Sequence, residues 1–236
     1  METEIAEIVG RGFTGVDPAE TYKLQRDLRQ VFGGLKLDRL NVSADESHVR
    51  RVKKQIAMVI VLTNRRVAER LKVPEARFGL LPGTYDVDME SVGPRVRITP
   101  AVGNDLPYIE VAGWYLREIA SQMVLPDMMN RVCGSLRLGY AVAHELWHRK
   151  EMVDYPELVT QRIEMRSKVE REGDRWEGLG YQTDPGELAA DKFACSWIKG
   201  LVFTDSAAKA AQQRIVKDHE GDIRRREEMA REKVAA

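Results

Sequence analysis

His144-Glu145-Leu146-Trp147-His148 spells H-E-x-x-H, and the residues before it, Leu138-Gly139-Tyr140-Ala141-Val142-Ala143, read as helix. On a helix, positions i and i+4 lie on one face, a turn apart. His144 and His148 can therefore bring two imidazoles to one tetrahedral metal ion. Glu145 would stand beside the ion's open position, where a carboxylate can take a proton from water. The chemistry this pattern supports is metal-assisted hydrolysis of an amide. Glu145 accepts the proton and returns it to the leaving nitrogen.

A catalytic Zn2+ site takes three protein ligands and one water, so two imidazoles need a third donor. Glu187 is the favoured candidate, in Glu187-Leu188-Ala189-Ala190-Asp191-Lys192-Phe193-Ala194. Glu187 and Asp191 share a helical face, and the small Ala190 and Ala194 near it would let a second helix approach closely. One carboxylate can bind the metal. The other, assigned to Asp191, can accept the N–H of a ligating imidazole, which orients the ring and raises its basicity. The competing reading of Glu187 is a helix-start residue favoured by the helix dipole. Asp154 is a rival ligand, because the segment extends to H-E-x-x-H-x-x-E-x-x-D. Metzincin-type proteases carry a third ligand there, but with Gly at the position that Glu151 holds here. Glu170, paired with Asp174 at i+4, is a second rival, but its surroundings are charged throughout and Gly173 interrupts them. Tyr140, Tyr155, Tyr181 and His219 could by chemistry donate to a developing oxyanion, and none is assigned. Trp147 and Trp197 are read as packing residues.

The elements that would carry these residues follow from periodicity and punctuation. Asp17-Pro18 opens a helix that Gly33-Gly34 stops. A second helix starts after Ser43, with Ser43-Ala44-Asp45-Glu46 in capping-box form, and Val73-Pro74 ends it near Lys72. Val49, Val52, Ile56, Val59, Ile60, Val67 and Leu71 recur along it at helical spacing. From Phe78 onward Gly and Pro punctuate short runs. Thr84–Val87, Arg95–Thr99 and Tyr108–Val111 read as strands, and Val124-Leu125-Pro126 is compatible with an edge strand. A helix over Trp114–Met123 precedes the His-bearing helix, placed at Asn130–Lys150. The charge-dense stretch 151–185 reads as a solvated helical excursion ending in a Gly-rich loop. Thr183-Asp184-Pro185 opens the Glu187 helix, which runs to about Val202. Ser206–Ala236 reads as a charged amphipathic helix whose end, Arg224-Arg225-Arg226-Glu227-Glu228, lacks an apolar stripe and is expected to fray. The expected organisation is a helical region over 1–77, a metal-bearing domain over 78–203 and a charged C-terminal helix over 204–236.

Composition limits the function classes. With 31% charged residues and a formal net charge of +0, the chain has no global field to draw it to nucleic acid or a membrane. Its longest apolar run, Ile56–Leu62, is too short to span a bilayer, and the first residues lack the pattern of a secretory signal. Cys133 and Cys195 make no disulfide framework, so a reducing, cytoplasmic setting is expected.

H-E-x-x-H on one helix followed by Glu187-x-x-x-Asp191 on a later one resembles the gluzincin pattern of zinc metallopeptidases. Within that group it is most similar to the ImmA/IrrE-like family, whose later motif has Glu, then Ala, then Asn or Asp, then Phe-Ala. The matching residues here are Glu187, Ala190, Asp191, Phe193 and Ala194. The resemblance spans roughly residues 78–200. It departs from the family in the long charged stretch 151–185 and in the lack of an evident N-terminal helix-turn-helix. It implies an α+β zincin-like domain with a small antiparallel sheet before the H-E-x-x-H helix. It also implies zinc, and hydrolysis of a protein or peptide substrate, such as a regulatory repressor. The alternative is a non-catalytic regulatory or binding protein with a structural or degenerate zinc site. Such a site would close the fourth position with a protein ligand, and would have no need of Glu145.

Overall fold

The computed structural model describes residues 18–81, 95–99, 108–171 and 183–235. Asp17, the Thr84–Val87 run, Tyr181 and the Gly-rich stretch 172–182 lie outside the described residues. Helix α1 (Pro18–Gly34) leads through a 3-10 turn (Leu37–Arg39) into the long helix α2 (Glu46–Leu71). Strands β1 (Arg77–Leu80), β2 (Val96–Thr99) and β3 (Tyr108–Val111) follow. Helices α3 (Gly113–Met123), α4 (Met128–Asp154), α5 (Pro156–Arg171), α6 (Pro185–Lys199) and α7 (Ser206–Ala235) complete the described chain. The architecture is α+β, mostly helical around one small sheet.

Local chemistry explains where the helices begin. The cap of α2 is Asp45, whose carboxylate accepts the His48 N–H at 3.0 Å, and Ser43 lies before it. Asp45 stands directly before the first helical residue, Glu46, where its carboxylate meets an orphan donor of the first turn, so it and not Ser43 is the cap. Asp127 caps α4 by accepting from Met129 N–H and Asn130 N–H. Val124-Leu125-Pro126 is therefore a bend between α3 and α4, not an edge strand. Asp184 caps α6, with Pro185 in its first turn, where a missing N–H costs nothing.

The sheet is mixed, which corrects the expectation of an antiparallel one. Strand order is β1-β3-β2, with β3 parallel to β1 and antiparallel to β2. Each strand reverses the one before it in sequence. With β2 central the sheet would be all-antiparallel; with β3 central, β1 and β3 must run parallel. Ile109 and Val111 of β3 are fully buried, which suits the central place. Arg97 and Glu110 face each other across β2 and β3 and pair at 2.6 Å. β2 is left at the edge, packed beside α4.

Helix α4 is the hub, with α2, α3, α6 and α7 all packed against it. Its approach to α6 is close at Gly139, where a Cβ would stand 3.2 Å from the Trp197 ring. Trp147 of α4 stacks on Phe193 of α6 with ring centroids 5.0 Å apart. One cluster of buried apolar side chains runs from Leu24 in α1 through Ile60, Leu116 and Leu146 to Ile198 and Ile223 in α6 and α7. Helix α7 does not fray at the charged run. Ile215, Val216 and Ile223 are buried, and so is Arg226, at 7% exposure. No helix among the described residues is long and apolar enough to cross a membrane.

Asn64 of α2 fastens the chain entering β1. Its amide donates to the Ala76 carbonyl at 3.0 Å and accepts the Ala76 N–H at 2.9 Å, all buried. Asn64→Ala strands both backbone groups. The expected loss is about 2–6 kcal/mol of unfolding free energy, at roughly 1–3 kcal/mol for each of the two orphaned groups. Urea titration followed by circular dichroism measures it, and an unchanged midpoint would show that this pin carries no weight.

Candidate metal centre

Helices α4 and α6 bring His144, His148 and Glu187 together, and the three could hold a metal ion. His144 Nε2 lies 3.1 Å from His148 Nε2. Glu187 Oε2 lies 3.2 Å from the first and 3.5 Å from the second. These spacings test the fit. Bonds of about 2.0–2.1 Å to a tetrahedral ion place ligand atoms about 3.3–3.4 Å apart, close to the observed triangle. Two nitrogens and one carboxylate oxygen also form a donor set that suits zinc. Among the described residues no fourth His, Cys, Asp or Glu joins them.

The remaining nitrogens of both rings point outward onto carboxylates. His144 Nδ1 lies 2.8 Å from Asp191 Oδ1, and His148 Nδ1 lies 3.0 Å from Glu151 Oε2. A ring that donates Nδ1–H to a carboxylate turns its Nε2 lone pair toward the metal position. Asp191 also accepts the Tyr140 hydroxyl at 2.8 Å and pairs with Arg226 of α7. Tyr140 is thus committed to Asp191, and its ring stacks on His219 at 3.7 Å. Tyr155, another candidate oxyanion donor, is 59% exposed. Glu151 accepts in addition from Arg162 of α5 at 3.1 Å. Of the two rival ligands, Asp154 pairs with Lys150 at the end of α4 instead of joining the group, and the side chain of Glu170 lies outside the described residues.

Glu145 lies on the same helix, 8% exposed, with one oxygen accepting the Ile98 N–H at 2.8 Å. That donor comes from β2, which among the described residues pairs only with β3. Burial pushes the Glu145 pKa up, and the nearby imidazoles and the Ile98 N–H only partly oppose it. Burial would lower both imidazole pKa values, yet their carboxylate partners outweigh it. His144 is raised to about 10 by Asp191 and Glu187, and His148 to about 9 by Glu151 and Glu187. Burial works to raise Glu187, but the two imidazoles hold it below the usual carboxylate range.

Sequence reasoning missed Glu151, Arg162, Arg226 and Ile98. Glu151 had a readable signal, since it lies three residues after His148 on the same helical face. Arg162 and Arg226 come from other helices, and Ile98 contributes a backbone group, so no local pattern marks them. No family model, curated protein or solved structure matches this chain.

Two outcomes follow from this geometry. Glu187→Ala should weaken metal binding strongly, whereas Asp154→Ala should leave it unchanged, measured by competition with a chromophoric chelator. The opposite ranking would move the third ligand to Asp154. Metal binding should also release protons. At neutral pH, below the raised values of about 10 and about 9, the imidazoles hold protons that an ion must displace. Affinity should therefore rise between about pH 6 and about pH 8, with proton release seen by calorimetry in buffers of different ionisation enthalpy. A flat profile would contradict these assignments.

Proposed function

We propose that this chain is a zinc-dependent peptidase of gluzincin type, most similar to the ImmA/IrrE-like family. The observation that carries the reading is the triangle of His144, His148 and Glu187 donor atoms, with the buried Glu145 carboxylate on the same helix and close enough for the imidazoles to act on its charge. A zinc ion held by these three residues would supply Lewis acidity, lowering the pKa of water to around 7 and polarising the amide carbonyl.

The chain's own groups supply the rest. Glu145 is anchored through one oxygen by the Ile98 N–H, which leaves its other oxygen to meet water. Its raised pKa makes it a stronger base than an exposed carboxylate. It takes the water proton as the oxygen bonds to the carbonyl carbon, then passes that proton to the amide nitrogen as the C–N bond breaks. Asp191 and Glu151 hold the imidazoles in the tautomer that keeps both Nε2 atoms on the metal position. The substrate class is a peptide or protein, and the family resemblance extends it to a regulatory protein such as a repressor.

Glu145→Gln keeps the ligand set but cannot accept the proton. The zinc-reconstituted variant should retain about one zinc per chain, as a single three-ligand site requires. Its turnover of a peptide library should fall by about 10²–10⁴-fold. Wild-type protein that takes up no zinc would sink the metal reading. Wild-type protein that holds zinc, cleaves nothing and shows a fourth protein ligand by X-ray absorption would favour a structural site instead.

A further inference from the structure

Each imidazole of the metal centre is backed by a carboxylate, and each carboxylate by an arginine from a helix outside the α4–α6 pair. One line runs His144, Asp191, Arg226, ending in α7. The other runs His148, Glu151, Arg162, ending in α5. We propose that Arg226 and Arg162 are positioning residues of the metal centre, holding Asp191 and Glu151 where these carboxylates orient the two imidazoles. The inference rests on the metal reading above and extends the centre from two helices to four.

The geometry distinguishes these contacts from ordinary surface ion pairs. Asp191 takes His144 and Tyr140 on Oδ1 and Arg226 on Oδ2, so its carboxylate cannot turn without losing a partner. The Arg226 side chain is only 9% exposed, in a helix otherwise rich in solvated charge. A buried pair of this kind resists water and salt screening as a surface pair does not.

Arg162 spans two parts of the centre. One nitrogen reaches Glu151 at 3.1 Å, and another reaches Asp184 at 3.3 Å. Asp184 is the cap of α6 and accepts the Gly186 N–H at 2.7 Å and, more weakly, that of Glu187. Arg162 thus ties the carboxylate behind His148 to the start of the helix that carries Glu187. A Cβ at Gly186 would stand where the Arg162 guanidinium lies, so the missing side chain leaves room for this bridge.

The test is a pair of double-mutant cycles read by zinc affinity, with the full chain first stripped of metal. Arg226→Met should weaken zinc binding about tenfold, the low end of the loss for removing the carboxylate behind a ligand, because Arg226 acts through Asp191. In an Asp191→Asn background the same change should cost less than about twofold, because the carboxylate it holds is already gone. Arg162→Met should behave likewise, with its effect reduced in a Glu151→Gln background to the part carried through Asp184. Arg226→Lys and Arg162→Lys should recover part of the affinity, since charge returns without the planar fork. Substitution with Co2+ gives a second readout, a visible spectrum that shifts in the Met variants as ligand geometry loosens. Should Arg226→Met fail to fold, the Arg162 cycle and Arg226→Lys still decide, because the Arg162 side chain is 29% exposed and better tolerates replacement. Equal zinc affinity across wild type and Met variants, or additive losses in the cycles, would overturn the inference while leaving the metal reading intact. Absence of zinc in wild type would instead overturn the metal reading.

Discussion

Two imidazoles and a carboxylate held with their donor atoms 3.1–3.5 Å apart, largely out of water, are the constraint around which this molecule is arranged. Such groups lose hydration on burial, and each needs a partner to offset that loss. The three satisfy one another only in part, since each ring has a second nitrogen. Those outward nitrogens draw in Asp191 and Glu151, whose charges in turn draw in Arg226 and Arg162. A polar network of this kind is favourable when complete and costly when one member is missing. The chain meets the condition by bringing a side chain from each of α4, α5, α6 and α7 to one place.

Close helix approach makes the geometry reachable. A Glu side chain on α6 reaches the imidazoles of α4 only if the helix axes come near each other. Ala190 and Ala194 are fully buried on α6, and Gly139 of α4 lies beneath the Trp197 ring. Small residues at the crossing let the backbones close in, and the larger Trp147–Phe193 and Trp197 contacts fill the flanks. The same packing puts Leu146 and Ile198 in the core, so the candidate metal-holding residues and core residues share the same helices.

The small sheet contributes through its edge. A central strand spends its backbone groups on two neighbours, but among the described residues β2 has a neighbour on one side only. Its free N–H at Ile98 finds the Glu145 carboxylate instead of another strand. An edge that would otherwise invite chance pairing is partly occupied in holding the candidate general base. The order β1-β3-β2 makes this possible, because it leaves β2 on the outside next to α4.

Where the chemistry depends on spacing along one helix, the amino-acid sequence was enough to read it. His144, Glu145 and His148 follow from the 3.6-residue period, as do the shared face of Glu187 and Asp191 and the caps at Asp184 and Pro185. The helical bounds of α2 and α3 and the start of α6 were legible for the same reason, since apolar period and terminal signals are local, whereas α6 ends at Lys199, short of the expected Val202. Strand order, the partners of Arg162 and Arg226 and the role of Ile98 were not legible. They depend on which elements lie side by side, and a charged side chain in a helix looks the same in sequence whether it faces solvent or a buried carboxylate. Arg226 sits in a run of three arginines, and only the docking of α7 on α4 and α6 decides that it, unlike Arg225, which pairs at the surface with Asp222, is turned inward to Asp191.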